Sequence, residues 1–127
     1  VFGAFWLDAR TITLDSESDI TISIEGNAGD HGASLEKLLE RYLVRALQKE
    51  SLQGSGLSVE FVIRAEAPTW DKLPRESLRD VRDVDWFEIA ITAKPKPRVL
   101  ISGKTALGAG FGVMQFLEKH VGITWLF

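Results

Sequence analysis

The chain has no cysteine among its 127 residues. It can therefore form neither a disulfide nor a thiolate metal site, and it suits an oxidising compartment as well as a reducing one. Histidine is almost as scarce: His31 and His120 stand far apart, and neither has a carboxylate or a second histidine at i+3 or i+4 to make a metal-ligand pair. No G-x-S-x-G elbow occurs, and a Cys/His mechanism is impossible. The longest apolar run, Ala106 to Met114 with glycines interspersed, falls well short of the ~20 residues that span a bilayer. A net charge of −3 supplies no electrostatic pull toward nucleic acid or an anionic membrane, so neither is expected as a partner. The opening "VFGAFWLDAR" has no initiator Met and no basic leader, which suggests a processed or trimmed product, a fragment of a longer protein.

What is present fits one globular domain over residues 1–127, large enough for a core and too small for two. "DITISIEG" alternates Ile20, Ile22 and Ile24 with polar residues and predicts a strand with one buried face, with "RTITL" before it as its hairpin partner. Ser34 then reads as the N-cap of a helix whose apolar stripe is Leu35, Leu38, Leu39, Tyr42, Leu43 and Ala46, with Lys37, Glu40 and Arg41 opposite. "LSVEFVI" from Leu57 is a third strand. The stretch from Ala65 to Asp85, broken by Pro68 and Pro74, reads as a long surface connection. "WFEIAIT" and "RVLIS", joined by "AKPKP", are two more strands, and Thr105 caps a last helix that stops at Gly122. The order β, β, α, β, β, β, α predicts an α/β (α+β) domain: a mixed or antiparallel sheet of about five strands, with two helices mainly on one face.

"SGKT" at Ser102 to Thr105 looks like half of a phosphate-binding loop. The position five before Gly103 is Arg98, within an extended run, so the wrapping glycine and its loop are missing. Gly108, Gly110 and Gly112 give G-x-G-x-G inside a helix, not the dinucleotide fingerprint before one. No cofactor is expected. Each helical glycine costs about 1 kcal/mol relative to alanine, so something must require small residues there. At 100° per residue, Leu107, Gly110, Val113, Met114, Leu117 and Val121 share one face and read as the sheet-packing stripe. Gly108, Ala109, Gly112 and Phe116 then fall outward, as a contact surface for a partner.

From Arg98 onward these residues resemble the end of the α/β accessory domain that precedes the catalytic barrel in α-glucuronidases, β-N-acetylhexosaminidases and their relatives. The pattern is Ile101 and Gly103 closing a strand, Gly108 with Phe111, Gly112 and Val113 in the helix, then Phe116, Leu117, Glu118, Gly122 and Trp125. Upstream, "ITISIEG" and "LEKLLERYL" near the start and "WFEIAI" before the last strand take the order that family uses. Phe111 stands where the family usually has tyrosine. The resemblance implies a non-catalytic domain of a glycoside hydrolase-like protein, with no catalytic residue here and none for metal. Its partner would be the catalytic domain of the same polypeptide, C-terminal to this chain, and its location secreted or periplasmic. The contact residues would be Gly108, Gly112 and Phe116, with Trp125 at the exit to the next domain. The alternative is a free-standing carbohydrate-binding module, since Trp70 and Trp86 are candidate platforms for a sugar ring. The carboxylates of "WDKLPRESLRDVRDVDWFE" alternate with Arg75, Arg79 and Arg82 and read as a self-paired surface, not as a glycosidase pair.

Overall fold

The computed structural model describes residues 4–8 (backbone only), 12–73 and 85–122. Within them the order is β1 (Ala4–Asp8), β2 (Ile12–Asp15), β3 (Asp19–Gly26), α1 (His31–Ala46), β4 (Ser58–Ala67), β5 (Phe87–Thr92), β6 (Arg98–Thr105) and α2 (Ala106–Phe116). A π-helical turn, Leu117–Val121, prolongs α2. The fold is α/β, with a mixed four-stranded sheet in the order β3-β4-β6-β5. β3, β4 and β6 are parallel and β5 is antiparallel to β6.

The parallel core follows from the crossover. α1 carries the chain back along the sheet after β3, so β4 starts beside the start of β3, and Ile20, Ile22 and Ile24 register with Val59, Phe61 and Ile63. These residues lie on one face. α1 covers β3 and β4 there, α2 covers β4, β5 and β6, and the two helices touch each other. The expectation that "RTITL" pairs with β3 is overturned: β2 pairs with β1, over Ala4 to Asp8 and Ile12 to Asp15. The chain turns away at Asp15–Ser18, where the Asp15 N–H donates to Ser18 Oγ at 2.9 Å, and Ile12 and Leu14 are driven into the core with no exposure. The Lys49 ammonium, beyond the end of α1, donates to the carbonyls of Ser16 and Ser18 at 2.8 and 2.7 Å and pins that turn to the helix layer. α1 also starts earlier than Ser34 suggests, after Asp30, and β4 runs on to Ala67.

The last helix confirms its two ends, and the expected division of its faces holds only in part. Thr105 Oγ1 accepts from the Gly108 N–H at 3.1 Å, as an N-cap does. Gly122 closes the π turn with φ +86°, a left-handed conformation that suits glycine. Val113, Leu117 and Val121 of the expected stripe are buried, but so are Gly108, Ala109, Gly112 and Phe116, expected to fall outward, while Leu107 of the stripe is 54% exposed and Phe111 is 41% exposed. The contact surface expected at Gly108, Gly112 and Phe116 is therefore interior to this chain. Phe116 is fully buried, its ring edge-on to Phe61 with centroids 5.4 Å apart.

The departure has a steric cause. The sheet beneath α2 presents large residues, so small ones must come from the helix. A Cβ on Gly112 would stand 2.6 Å from Ile101 Cγ2, and one on Gly108 2.3 Å from the Trp86 carbonyl oxygen. Gly103 on β6 does the same from the other side, where a Cβ would lie 2.3 Å from the Ala109 nitrogen. The propensity lost to glycine is recovered as close packing around Phe116, whose burial contributes about 2 to 3 kcal/mol. The other face of the sheet is solvated and charged. Arg64 pairs with Glu25 at 2.6 Å, and Arg98 reaches Glu60 at 3.0 Å and Glu25 at 3.5 Å. The Arg64 hydrogen bond and the two positive charges hold the Glu25 carboxyl below its ordinary range.

This packing separates two glycine substitutions. Gly103→Ala meets rigid backbone and is expected to lose about 1 to 3 kcal/mol in urea unfolding. Gly110→Ala meets only the end of Leu35, 3.3 Å away, and is expected to be neutral or to gain up to about 1 kcal/mol. Equal losses would contradict the assignment of the helix faces.

Candidate functional site

At the carboxyl ends of the parallel strands the starts of α1 and α2 and the segment after β4 enclose a crevice of about 400 Å³. This is where ligands and partners meet open α/β sheets, because the connecting loops converge there. Its floor comes from Leu35 on α1. One wall is the outward ridge of α2, Leu107, Phe111 and Met114, spaced four and three residues apart so that they stack along the helix. The opposite wall is Pro68 to Trp70, immediately after β4. Polar side chains in the lining are few: His31 and Ser34 in the first turn of α1, Thr69, and Thr105 at the end of β6.

Trp70 is 57% exposed and is the most open of the large apolar side chains described. It opens a short 3-10 turn, Trp70–Lys72, held by the Thr69 hydroxyl donating to the Asp71 carboxylate. That hydrogen bond, together with the Asp71 backbone N–H, lowers the Asp71 carboxyl from its ordinary value. Trp86 is 41% exposed, just before β5. It does not line the crevice, so the two tryptophans offered as sugar platforms do not converge there. Trp125 lies outside the described residues.

The α2 side of the site is uncharged. "ALGAGFGVMQF" carries Gln115 as its one polar side chain, and a helix that is apolar all round belongs between two layers. The sheet supplies one. Leu107 and Phe111 stand exposed on the outer side of the helix. α1 follows the opposite pattern, with Glu36, Lys37, Glu40 and Arg41 exposed on its outer side. A signal for this site lies in the sequence: Leu107, Phe111 and Met114 recur four and three residues apart on a helix whose glycines let it approach a crowded sheet.

The chemistry expected to be missing can be placed. Among the described residues no group of histidine, aspartate and glutamate could hold a metal. Gly103 and Lys104 belong to β6, and the Gly108 amide that an anion would need is taken by Thr105. Of the carboxylates in the proline-broken connection, Asp71 and Asp85 are described, and residues 74–84 lie outside. His31 is at the crevice, whereas His120 packs on Phe116 with ring centroids 5.2 Å apart. Burial there, and then the charge of Lys119, push His120 below its ordinary value of 6.5.

No protein-family profile, curated protein or solved structure matches this chain.

The His120 shift fixes a sign for pH dependence. Its neutral form is favoured in the fold, so the unfolded chain binds the proton more readily. Stability is expected to fall as pH drops through 6.5 and to level off below the depressed folded value. His120→Gln should flatten that segment of a stability-against-pH curve.

Proposed function

We propose that this chain is a non-catalytic accessory domain of a carbohydrate-active enzyme and packs against the catalytic barrel of the same polypeptide, C-terminal to it. The observation that carries the reading is the bare outer side of α2: Leu107 and Phe111 are exposed on a helix without a charged residue. An isolated surface of that kind is poorly suited to water, and a covering layer removes the mismatch. The resemblance of the Ile101 to Trp125 stretch to the accessory domains of α-glucuronidases and β-N-acetylhexosaminidases supports the choice of partner. The contact then falls to Leu107, Phe111 and Met114 in place of Gly108, Gly112 and Phe116.

A second reading rests on Trp70. An exposed indole on the rim of an aromatic-walled crevice is a platform on which the apolar face of a sugar ring stacks. It predicts a saturable change in tryptophan fluorescence with oligosaccharide, abolished by Trp70→Ala.

The first reading predicts that the reading frame continues past Phe127 into a barrel, typically ~250 residues of alternating strands and helices. Supplied in trans, that continuation should bind the chain, and Leu107→Ser with Phe111→Ser should weaken the binding at least tenfold. The same pair should shift unfolding by no more than about 0.5 kcal/mol, as exposed positions do. A stop codon shortly after Phe127, or binding indifferent to the two serines, would sink the reading.

A further inference from the structure

We propose that the chain also forms a two-fold homodimer, in which β5 pairs antiparallel with β5 of a second copy and joins the two four-stranded sheets into one. This inference does not depend on the accessory-domain reading, because it uses the sheet edge and not the outer side of α2.

β5 bonds to β6 along one side over Phe87 to Thr92. Among the described residues its other side has no backbone partner. The opposite edge of the sheet is treated differently: the Ile20 N–H of β3 donates to the Leu52 carbonyl at 2.8 Å, so the loop between α1 and β4 closes that edge where the strand begins. Edge strands are commonly blunted by lysine, proline or a bulge. β5 has none within "FEIAIT", and its ladder to β6 runs without a register shift. Its neighbours across β6 place Phe87, Ile89 and Ile91 on the helix side, in line with Gly103, Ile101 and Val99. All three are only partly buried, although they face the core.

A row of backbone donors and acceptors calls for an extended strand, and the side chains select which one. Two-fold antiparallel pairing keeps like faces together. Centred on Glu88, it would set two carboxylates opposite each other, which is unfavourable. Centred on Ile89, it sets Glu88 against Ala90 of the second copy, so each charge meets a small neutral residue. The helix side then becomes an unbroken apolar ladder: Phe87 against Ile91, Ile89 against Ile89, Ile91 against Phe87. The strand is thus its own complement in charge and in size, which is why a second copy is the occupant.

Sedimentation equilibrium of the whole chain should show a concentration-dependent species of twice the chain mass. The Leu107→Ser and Phe111→Ser variant should dimerise equally well, because those residues lie on the outer side of α2 and not on the strand edge. With no native cysteine, Glu88→Cys combined with Ala90→Cys should cross-link into a covalent dimer on mild oxidation, each bond joining position 88 of one copy to position 90 of the other. Ala90→Cys alone should not cross-link. A monomer at every concentration, loss of the dimer in the serine variant, or cross-linking of Ala90→Cys alone would each overturn the proposal.

Discussion

The close approach of α2 to β6 and β5 is the contact on which the rest of this molecule depends. Three glycines meet there, Gly103 from the strand and Gly108 and Gly112 from the helix, each at a distance where a side chain would collide with backbone or with Ile101. That approach lets Phe116 reach Phe61 in the centre of the core and fixes where the outward ridge of α2 stands. The helix is poor in intrinsic propensity and is held by its packing, which is the ordinary source of helix stability in a folded domain. Everything on its outer side, including the crevice wall, takes its position from that packing.

The two faces of the sheet divide the work. On the helix side the strands present aliphatic and aromatic residues almost without interruption, as a parallel core under helices requires. On the other side Glu25, Glu60, Arg64 and Arg98 form a cross-strand network in water. Such exposed pairs add little to stability singly. They keep that face polar. Val62 is nonetheless 1% exposed, and it lies between Glu60 and Arg64 on the strand that Arg98 spans to reach Glu25. A long charged side chain shelters apolar surface with its stem while its head stays wet.

Much of this was legible before any coordinates. The isoleucine alternation of β3, the stripe of α1, the cap at Thr105 and the stop at Gly122 are local signals, and each element formed where its signal lies. What failed was decided by distant residues. "RTITL" next to "DITISIEG" reads as a hairpin only if the chain's other strands are ignored; the crossover through α1 gives β3 a better partner in β4, and β2 turns to β1. The stripe drawn at 100° per residue on α2 holds for Val113, Leu117 and Val121 and fails for Leu107, while Gly108, Gly112 and Phe116 turn inward. Which side of a helix is buried depends on the volume that the sheet leaves free, and Ile101 and Phe87 leave room only for glycine. The crevice is hidden from the same stripe, which places Leu107 and Met114 against the sheet when both line the crevice. Trp70, one of the two candidate platforms, is the more open, and Phe111 lines the same crevice only because α2 is turned by its glycines.

β6 ends at Thr105 and α2 begins at Ala106. There is no linker between them, and the buried Thr105 hydroxyl clamps the first turn of the helix to the end of the strand. Mechanically the two elements are one bent rod with no slack at the elbow. A force applied to the outer side of α2 is passed undamped to β6, which lies between β4 and β5 and bonds to both. A domain built this way is suited to serve as a stiff strut: it holds whatever rests on α2 at a fixed angle to the sheet.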